Sequence, residues 1–401
     1  MTATSIADPN TYTDAPPHEL FTELRRTSPV HWVEMHDEPG YWAILRHADV
    51  IHVAKEPVLF SASTGGIVIE DVTAEMLQHL RGMLLSMDPP RHQDYRRDLS
   101  ESFKVRTIAG LEGRIRTICG EILDRAAEQS DVEFVHDVTS SLPSQVIGEL
   151  MGIPPDDWPR IHAMAESLAS AQDPDKGGSG DSYAGSGDPF VDMAIYAIEH
   201  SQRRRLEPPR EDLTTVLLMS DFNGNPMDDI AFGTFFVQLV TAGNDTTKTM
   251  LAAGLLALLD HPDQLATLRD DHSLIPGAVE EILRWANPLH YFRRTATANT
   301  TIGDQPIHEG HKVAMIYTSA NRDEAVFSDS QSFDVRRHPN PHLSFGIAEH
   351  FCLGAHLARL EGRVFFDELL TRFANIEQTG PARRVRSNLN NALKSLPVRL
   401  S

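Results

Sequence analysis

The alternation of apolar and polar positions predicts a chain that is mostly helical with a few short strands. Apolar residues recur at helical spacing over much of its length, including two segments at about residues 155–171 and 190–204. Shorter stretches rich in branched and aromatic residues read as strands, the first of them within a region at about residues 28–60. These stretches are Val30–Val33, Tyr41–Leu45, Leu289–Ala296 and Thr301–Ser319. The pattern predicts a mainly α fold with small β-sheets, of the α+β class.

The longest apolar run, Ala231–Leu259, predicts a central helix over about residues 231–260. It approaches the length of a membrane span, but Asn244, Asp245 and Lys248 lie in its middle. We therefore expect a helix that is buried inside the protein rather than one that crosses a membrane.

The residues that interrupt this run, 242–247, suit a helix interior poorly. Gly243 costs about 1 kcal/mol relative to alanine, and a threonine hydroxyl is able to bond the carbonyl four residues back. We predict that the Thr246 hydroxyl bonds the Ala242 carbonyl and opens a polar groove. A polar kink inside an apolar helix usually serves a function.

Two segments lack a sustained period. Ser61–Leu85 mixes glycine, branched aliphatic and charged residues, and a long irregular segment inside a compact domain is usually functional. Residues 172–189 are rich in glycine and serine, which predicts a mobile loop between two helices. No other stretch has linker composition, so we expect one domain over residues 1–401.

Composition limits the classes of partner. The chain has 401 residues, with 36 Lys plus Arg against 57 Asp plus Glu and a net charge of −21, which argues against nucleic acid. The N-terminus has no apolar run of signal or anchor length, so we expect no membrane association. Two cysteines, Cys119 and Cys352, fit a reducing cytoplasm. Cys119 lies on an apolar helical stripe, which predicts a core position.

Cys352 lies at a predicted junction between an irregular segment that begins at Phe345-Gly346 and a helix that begins after Gly354. Free N–H groups and the positive helix end meet there and favour a thiolate. A thiolate in such a setting suits a haem iron. Two other roles stay open by residue chemistry alone: a buried apolar cysteine, and a zinc ligand. The zinc alternative would draw on His342, His350 and His356.

Residues 345–354, FGIAEHFCLG, closely resemble the cysteine loop FGxGxHxCxG of the cytochrome P-450 family, the haem-thiolate monooxygenases. The resemblance spans essentially the whole chain. It implies a triangular haem-thiolate cytochrome fold, haem b as cofactor, and Cys352 as the iron ligand within a loop at 342–354. One position departs, because Ala348 replaces the second glycine. Its extra methyl group is expected to shift the loop slightly.

The central hexad resembles the family's (A/G)GxDT(T) motif. The resemblance implies that Asp245 and Thr246 are a catalytic pair, in which Thr246 hydrogen-bonds dioxygen and Asp245 relays protons from solvent. It places Ala242 and Gly243 beside the haem.

Further motifs imply roles around the cofactor. Glu281 and Arg284 match ExxR, a buried structural pair that braces the cysteine loop. Arg294 is preferred over Arg293 as a propionate ligand. The full set of cofactor-binding residues implied by the resemblance is His92, Arg96, Ala242, Gly243, Arg294, His342, Phe345, Gly346, Cys352 and Gly354.

The same resemblance implies a substrate pocket. The segment Ser61–Leu85 would cover it, the loop at 172–189 would form a lid over its entrance, and a C-terminal hairpin at 392–398 would reach into it. The predicted substrate contacts are Ile67, Ile69, Gln238, Ala242, Leu289, His290, Tyr291 and Ala392.

The function implied is a haem-dependent monooxygenase that inserts one atom of O2 into an apolar small molecule, with electrons from NAD(P)H through a reductase and a ferredoxin. The wording FRRTAT at residues 292–297 resembles actinobacterial enzymes that act on sterols, terpenoids or other bulky apolar molecules. We expect a cytoplasmic monomer. A haem peroxygenase and a non-catalytic haem sensor are the alternatives. A basic patch for the ferredoxin would consist of Arg96, Arg97, Lys104, Arg106, Arg359 and Arg363.

Overall fold

The computed structural model describes residues 5–170, 172–175 and 186–401. The α-helices in these ranges are α1 His18–Thr27, α2 His47–Lys55, α3 Ala74–Leu80, α4 Arg91–Ser100, α5 Val105–Ala109, α6 Glu112–Ala127, α7 Ser141–Leu150, α8 Trp158–Ala169, α9 Pro189–Arg205, α10 Leu213–Met219, α11 Asp229–Asp260, α12 Pro262–Asp270, α13 Ile275–Ala286, α14 Tyr317–Ala320 and α15 Ala355–Arg372. The strands are β1 Val30–Val33, β2 Tyr41–Ile44, β3 Phe60–Ser61, β4 Val132–Glu133, β5 Tyr291–Ala296, β6 Thr300–Ile302, β7 Gln305–Ile307, β8 Lys312–Ile316, β9 Ile376–Gln378, β10 Arg383–Arg384, β11 Leu393–Ser395 and β12 Pro397–Leu400.

The largest sheet has five strands in the order β1-β2-β8-β5-β3. Strands β2 and β8 pair in parallel, with Tyr41 opposite Lys312, and the other neighbours are antiparallel. A three-stranded sheet, β4-β12-β9, and two two-stranded sheets complete the β structure. The sheets are small beside the helices, which agrees with the predicted mainly α fold of the α+β class.

Helix α11 passes through the centre of the helical region and packs against α7, α8, α9, α13 and α15. Its apolar residues face inward on nearly every side, as expected for a helix that is hydrophobic all round. The Asp228 carboxylate caps the helix and accepts from the Ala231 N–H at 2.7 Å. The helix begins and ends within about two residues of its predicted bounds. Among the described residues, no helix is both long and apolar enough to cross a membrane.

The irregular segment before α4 is fastened to the five-stranded sheet by charge pairs. Asp71 accepts from Arg293 at 2.8 Å and lies 2.9 Å from the Lys312 ammonium, which also pairs with Glu38 at 2.8 Å. Lys312 further donates to the Ile69 carbonyl at 3.0 Å. These contacts hold the segment 61–73 over the sheet and fix where its side chains point.

Three sequence predictions need adjustment. The segment Ser61–Leu85 contains a short helix, α3, whose start is capped by the Thr73 hydroxyl. The C-terminal hairpin pairs β10 with β11, while β12 joins β4 and β9, so residues 385–392 form its turn. The predicted lid at 172–189 falls largely outside the described residues, since 176–185 are not among them.

Candidate active site

Cys352 lies where the loop after Leu343 meets α15, as the sequence predicted. Its backbone N–H donates to the Phe345 carbonyl at 2.8 Å, which closes the loop, and its side chain is half-buried. Burial raises the pKa of the thiol, while the Gly354 N–H and the positive charges of Arg96 and Arg359 oppose that rise. The local groups thus favour a thiolate against the cost of removing it from water.

Ala348 adopts the backbone conformation that its motif normally gives to glycine. Its φ is +60°, and Gly346 two residues earlier has φ +66°. A left-handed residue with a Cβ costs roughly 1–2 kcal/mol. The backbone at Ala348 therefore keeps the left-handed conformation expected of a glycine, and the cost is local strain. The alanine does not redirect the loop.

A fully buried ion pair braces the cysteine loop from α13. Arg284 donates from two nitrogens to the two Glu281 oxygens at 2.7 and 2.8 Å, and both side chains have no exposed surface. The remaining Arg284 donors bond three backbone carbonyls, while Glu281 also accepts from Arg337 and Asn340 at 3.2 and 3.1 Å. Every charge is matched, as a buried pair requires.

A second brace involves Glu280, which sequence analysis missed. Its carboxylate accepts from Arg359 at 2.7 and 2.8 Å and lies 3.0 Å from His342 Nε2. The Arg359 guanidinium in turn lies over the Phe345 ring, 4.5 Å from its centre. Burial opposes ionisation of Glu280, but the bonds from His342 and Arg359 outweigh it and lower its pKa to about 2. The side chains hold the first residue of the loop in place.

His342 therefore does not lie with the other predicted propionate ligands. Its Nε2 is engaged by Glu280, and its Nδ1 accepts from the Ser344 N–H at 3.3 Å. With both ring nitrogens occupied by protein groups, the prediction for His342 is corrected. His350, two residues before the cysteine, takes its place in the cluster described next.

Four nitrogen-bearing side chains converge beside the cysteine loop: His92, Arg96, Arg294 and His350. The His92 and His350 ring centres are 4.3 Å apart, and Arg96 donates to the Phe351 carbonyl at 2.5 Å. Burial, with the charges of Arg96 and Arg294, lowers the pKa of His92 to about 4. In the described part of the chain none of the four forms an ion pair with a carboxylate.

The hydrogen-bonding state of this cluster fits the carboxylates of a haem. Within the ranges that the structure describes, His92 Nδ1 and His350 Nε2 are buried without a hydrogen-bond partner, and buried Arg294 has only a backbone acceptor, at 2.8 Å. Buried donors without acceptors fit a ligand that carries two carboxylates, as haem does. Arg293, by contrast, is already paired with Asp71. Among the described residues no group of three or more His, Cys, Asp or Glu is arranged to hold a metal ion, so the zinc alternative has no ligand set.

On α11 the Thr246 hydroxyl donates to the Ala242 carbonyl at 2.7 Å, as predicted. The helix stays continuous through residues 242–247, so the predicted interruption is this local side-chain bond rather than a break. Asp245 lies 2.7 Å from the Lys248 ammonium, which is 3.9 Å from Glu166 on α8. Burial opposes the charge on Lys248, but Asp245 and Glu166 raise its pKa. The Asp245 carboxylate and the Thr246 hydroxyl thus lie next to each other at the polar groove.

A small cavity opens beside this groove. Asp245, Thr246 and Ala392 line it, so Ala392 lies where the hairpin turn was expected to reach. The rest of its wall combines polar and apolar groups: Glu166, Ala169, Ser170, Lys248, Thr249, Pro288, Val385, Asn390 and Leu393. The predicted positions Ala242, exposed, and Ile67 and Leu289, half-buried, keep free surface.

Three of the predicted substrate contacts, Ile69, His290 and Tyr291, are buried in this structure. Ile69 is fully buried, and its N–H donates to the Tyr291 hydroxyl at 3.2 Å inside a core beside β5. His290 packs on Tyr12 with ring centres 4.4 Å apart, and its Nδ1 is 2.8 Å from Thr318 Oγ1. Side chains without free surface cannot touch a substrate. These contacts were predicted from the family resemblance, which does not say which side chains the rest of the chain covers.

The cytochrome P450 family model matches residues 190–397, more than half of the 401-residue chain. The chain is a cytochrome P450. As a P450 it binds haem b through a cysteine thiolate and acts as a haem monooxygenase.

Relatives of this P450 cover nearly the whole chain. The steroid C26-monooxygenase of Mycolicibacterium smegmatis is 34% identical over 95% of this chain and 90% of that protein. The linalool 8-monooxygenase of Pseudomonas putida is 34% identical over 99% of each. The structure of Mycobacterium marinum cytochrome P450 CYP268A2 in complex with pseudoionone superposes with a TM-score of 0.86, at 35% identity over 96% of this chain and 94% of that one.

Proposed function

We propose that this P450 hydroxylates or epoxidises a bulky apolar small molecule of the steroid, terpenoid, fatty or aromatic type. The observation that carries the proposal is the pairing of two features on helices that pack together. Cys352 lies at the start of α15, and α11 presents Thr246 bonded to the Ala242 carbonyl beside a cavity. Relatives named for steroid and linalool oxidation support the substrate class.

Haem, when bound, supplies the activation of dioxygen and the insertion of one oxygen atom into the substrate, with two electrons and two protons consumed and water released. The protein holds the cofactor through Cys352 and through the donors His92, Arg96, Arg294 and His350. These donors would neutralise and fix the two propionates.

Asp245 and Thr246 would carry protons toward the reaction site. The Thr246 hydroxyl donates its hydrogen bond to the Ala242 carbonyl, so its lone pairs remain to accept a hydrogen bond from the groove. Asp245 faces the cavity and is held by Lys248 at 2.7 Å. A carboxylate at that place is positioned to take a proton from solvent in the cavity and pass it on.

Electrons would come from NAD(P)H through a reductase and a ferredoxin that docks on the side of α15. A shallow groove lies there between α5 and α15, lined by apolar side chains together with a histidine and two arginines. Its wall consists of Val105, Ile108, Ala109, His356, Arg359, Leu360 and Arg363. Turnover that needs peroxide and ignores the reductase would instead favour a peroxygenase, and failure to consume NAD(P)H with any reductase and ligand would favour a sensor.

The thiolate assignment is tested by Cys352→Ser. The reduced carbon monoxide complex of the purified protein should lose the red-shifted Soret band that thiolate ligation produces. Cys119→Ala is the matched control, because Cys119 is buried in the helical core and burial raises the pKa of its thiol to about 12. That variant should keep the band. An unchanged spectrum for Cys352→Ser would overturn the assignment.

A further inference from the structure

Four residues on neighbouring strands of the five-stranded sheet stand in one row, which we call the tryptophan row. Trp32 of β1 is opposite Trp42 of β2. Trp42 is in turn opposite Val313 of β8, which is opposite Arg294 of β5. Residues directly opposite each other point to the same face of a sheet, and Trp42 and Val313 pack into one apolar cluster. The two indoles therefore lie on the same face as Arg294, the buried arginine proposed above as a propionate ligand.

The tryptophan row spans a short distance. Neighbouring strands lie about 4.8 Å apart, so the backbones of Trp42 and Arg294, two strands apart, are about 10 Å from each other. The ring centres of Trp32 and Trp42 are 5.0 Å apart, and the rings meet edge to face. An indole loses one electron far more readily than an aliphatic or phenyl group, and an electron crosses gaps of this size by tunnelling. The row therefore joins the propionate side of the cofactor site to β1, the outer strand of the sheet, through two oxidisable rings.

Each indole of the row has a base at its N–H group. Trp42 Nε1 donates to His311 Nδ1 at 3.0 Å, and Trp32 Nε1 donates to Glu34 Oε1 at 2.8 Å. Burial and the neighbouring His308 lower the pKa of His311, so its ring is neutral at pH 7 and able to take up a proton. The loss of an electron makes an indole N–H strongly acidic. A base that is already bonded to it accepts the proton without rearrangement, which favours oxidation of these two rings.

The chain has four tryptophans, all half-buried, and the other two have no such base in the described part of the chain. Trp158 Nε1 donates to the Ile153 carbonyl, which does not take up a proton. Trp285 lies under the guanidinium groups of Arg322 and Arg284, at 3.7 and 5.7 Å from its ring centre. Positive charge over a ring opposes the loss of an electron from it. Exposure thus does not distinguish the four tryptophans, whereas the row and its bases do.

We propose that Trp42 and Trp32 carry oxidising equivalents from the haem to the surface when no substrate consumes them. Trp42 loses one electron toward the cofactor and its Nε1 proton to His311. Trp32 then gives an electron to Trp42 and its own Nε1 proton to Glu34, while the proton on His311 returns to Trp42. A one-electron reductant in solution, such as a thiol or ascorbate, restores Trp32, which takes its proton back from Glu34.

Two such passages balance the reaction. They supply the two electrons that reduce the unused oxygen atom to water with two protons from solvent, and the protein ends unchanged. The inference rests on bound haem and on the placement of Arg294 at a propionate, which is part of the proposed function. It does not depend on the identity of the substrate.

The row is tested on the haem-loaded protein by exposure to hydrogen peroxide without substrate or reductant, followed by peptide mass spectrometry. Peroxide supplies the oxidising equivalents directly, so no ferredoxin is needed. Oxygen should be added to Trp42 and Trp32 several-fold more often than to Trp158 and Trp285. Imidazole, which occupies the iron, is the control and should abolish this selectivity. Equal oxidation of the four tryptophans, selectivity for Trp158 or Trp285, or no oxidation of any of them would overturn the row.

Trp42→Phe interrupts the row and keeps an aromatic side chain in the apolar cluster. In this variant Trp32 should lose its excess oxidation, and the haem absorption should bleach several-fold faster under peroxide. Trp158→Phe is the matched control and should bleach at the wild-type rate. Bleaching of Trp42→Phe at that same rate would contradict the proposal.

His311→Gln is a second variant, at a half-buried position, that keeps both rings and removes the base. It should lower the oxidation of Trp42 several-fold, and unchanged oxidation would refute the role of His311. The proposed function is judged separately by the carbon monoxide spectrum, which reports on the thiolate. A normal spectrum without selective oxidation would overturn the row alone.

Discussion

Helices α13 and α11 differ in whether the protein itself satisfies the hydrogen bonds of their buried polar groups. Beside Cys352, the carboxylates of Glu280 and Glu281 are bonded by arginines and a histidine of the same chain. On α11, Gln238 Oε1 and Thr241 Oγ1 are buried and have no hydrogen-bond partner in the described part of the chain. The carboxylates of the brace beside Cys352 are matched within the protein, whereas the two oxygens on α11 are not.

This difference corresponds to two physical tasks. A metal ligand must be held in one geometry, which calls for charge pairs that are matched within the protein. A substrate site gains selectivity when its polar atoms are unsatisfied until the right molecule arrives, because a wrong molecule then incurs their desolvation cost. Substitutions at the charge pairs beside Cys352 and at the polar groups of α11 test this difference.

The largest effect is expected for Glu281→Ala. Arg284 has no exposed surface, and its three backbone acceptors would remain while its counter-charge is lost. An unpaired buried charge of this kind costs about 3–5 kcal/mol. The free energy of unfolding, measured by chemical denaturation, should fall by that amount and haem retention should fall with it.

The matched control for this prediction is Glu101→Ala. Glu101 pairs with Lys104 at the same i, i+3 spacing, but both side chains are more than half exposed. An exposed pair contributes about 0–1 kcal/mol. If Glu281→Ala cost no more than this control, the brace on the cysteine loop would not be the stabilising pair described above.

A smaller, pH-dependent effect is expected for Glu280→Gln. The pKa of Glu280 falls from 4.5 to about 2 on folding, so the ionised carboxylate stabilises the folded state at neutral pH, by at most about 3 kcal/mol. That contribution is lost as pH falls from about 4.5 to about 2. The gap in unfolding free energy between the wild type and the variant should therefore narrow across this window. A gap that stays constant with pH would contradict the role given to His342 and Arg359.

The sequence predicts best what is encoded by adjacent residues. The cysteine loop is a contiguous motif, and the central helix is an uninterrupted apolar run, so both were located within a few residues. The Thr246–Ala242 bond followed from a four-residue spacing on one helix. By contrast, the contact between Glu280 and His342 joins residues 62 positions apart, and no local pattern signals it.

The errors have a related cause. His342 and His350 both lie within the cysteine loop, and their tasks differ only through what other elements bring near them: Glu280 from α13 for one, His92 from α4 for the other. The one sequence signal for His350 was its place in the loop motif, two residues before Cys352. Tyr291 was assigned to the pocket from the family resemblance, which does not say which face of the strand is covered. The N-terminal residues that pack on Tyr291 cover it, and no pattern in the sequence around Tyr291 predicts this packing.

On the cavity side, Thr246→Ala should uncouple the reaction. NAD(P)H consumption should continue, while product formed per NAD(P)H falls about ten-fold or more, because the hydroxyl that accepts a hydrogen bond in the proton path is lost. Thr234→Ala is the control, since its hydroxyl makes the same bond to the carbonyl four residues back but lies three turns away. Equal coupling in the two variants would mean that the Thr246 hydroxyl serves helix geometry only.

The smallest effect is expected on the outer face of α5 and α15. Of the predicted docking patch, Arg97, Lys104 and Arg359 are paired with carboxylates of this chain, and Arg96 bonds the Phe351 carbonyl. Arg106 and Arg363 are exposed and have no such partner in the described residues, and they lie beside the groove or in its wall. The patch is thus smaller than the sequence implied.

Arg106→Glu combined with Arg363→Glu should lower turnover at limiting ferredoxin several-fold, and more at low salt than at high salt, because exposed charges act mainly on the rate of association. Ligand affinity should not change. Arg97→Glu provides the comparison, since Arg97 is already neutralised by Asp94 and Asp98 at 3.3 and 3.2 Å. If Arg97→Glu lowered turnover as much as the double variant, the overall charge of the protein would govern association with the ferredoxin. Arg106 and Arg363 would then not form a specific docking site.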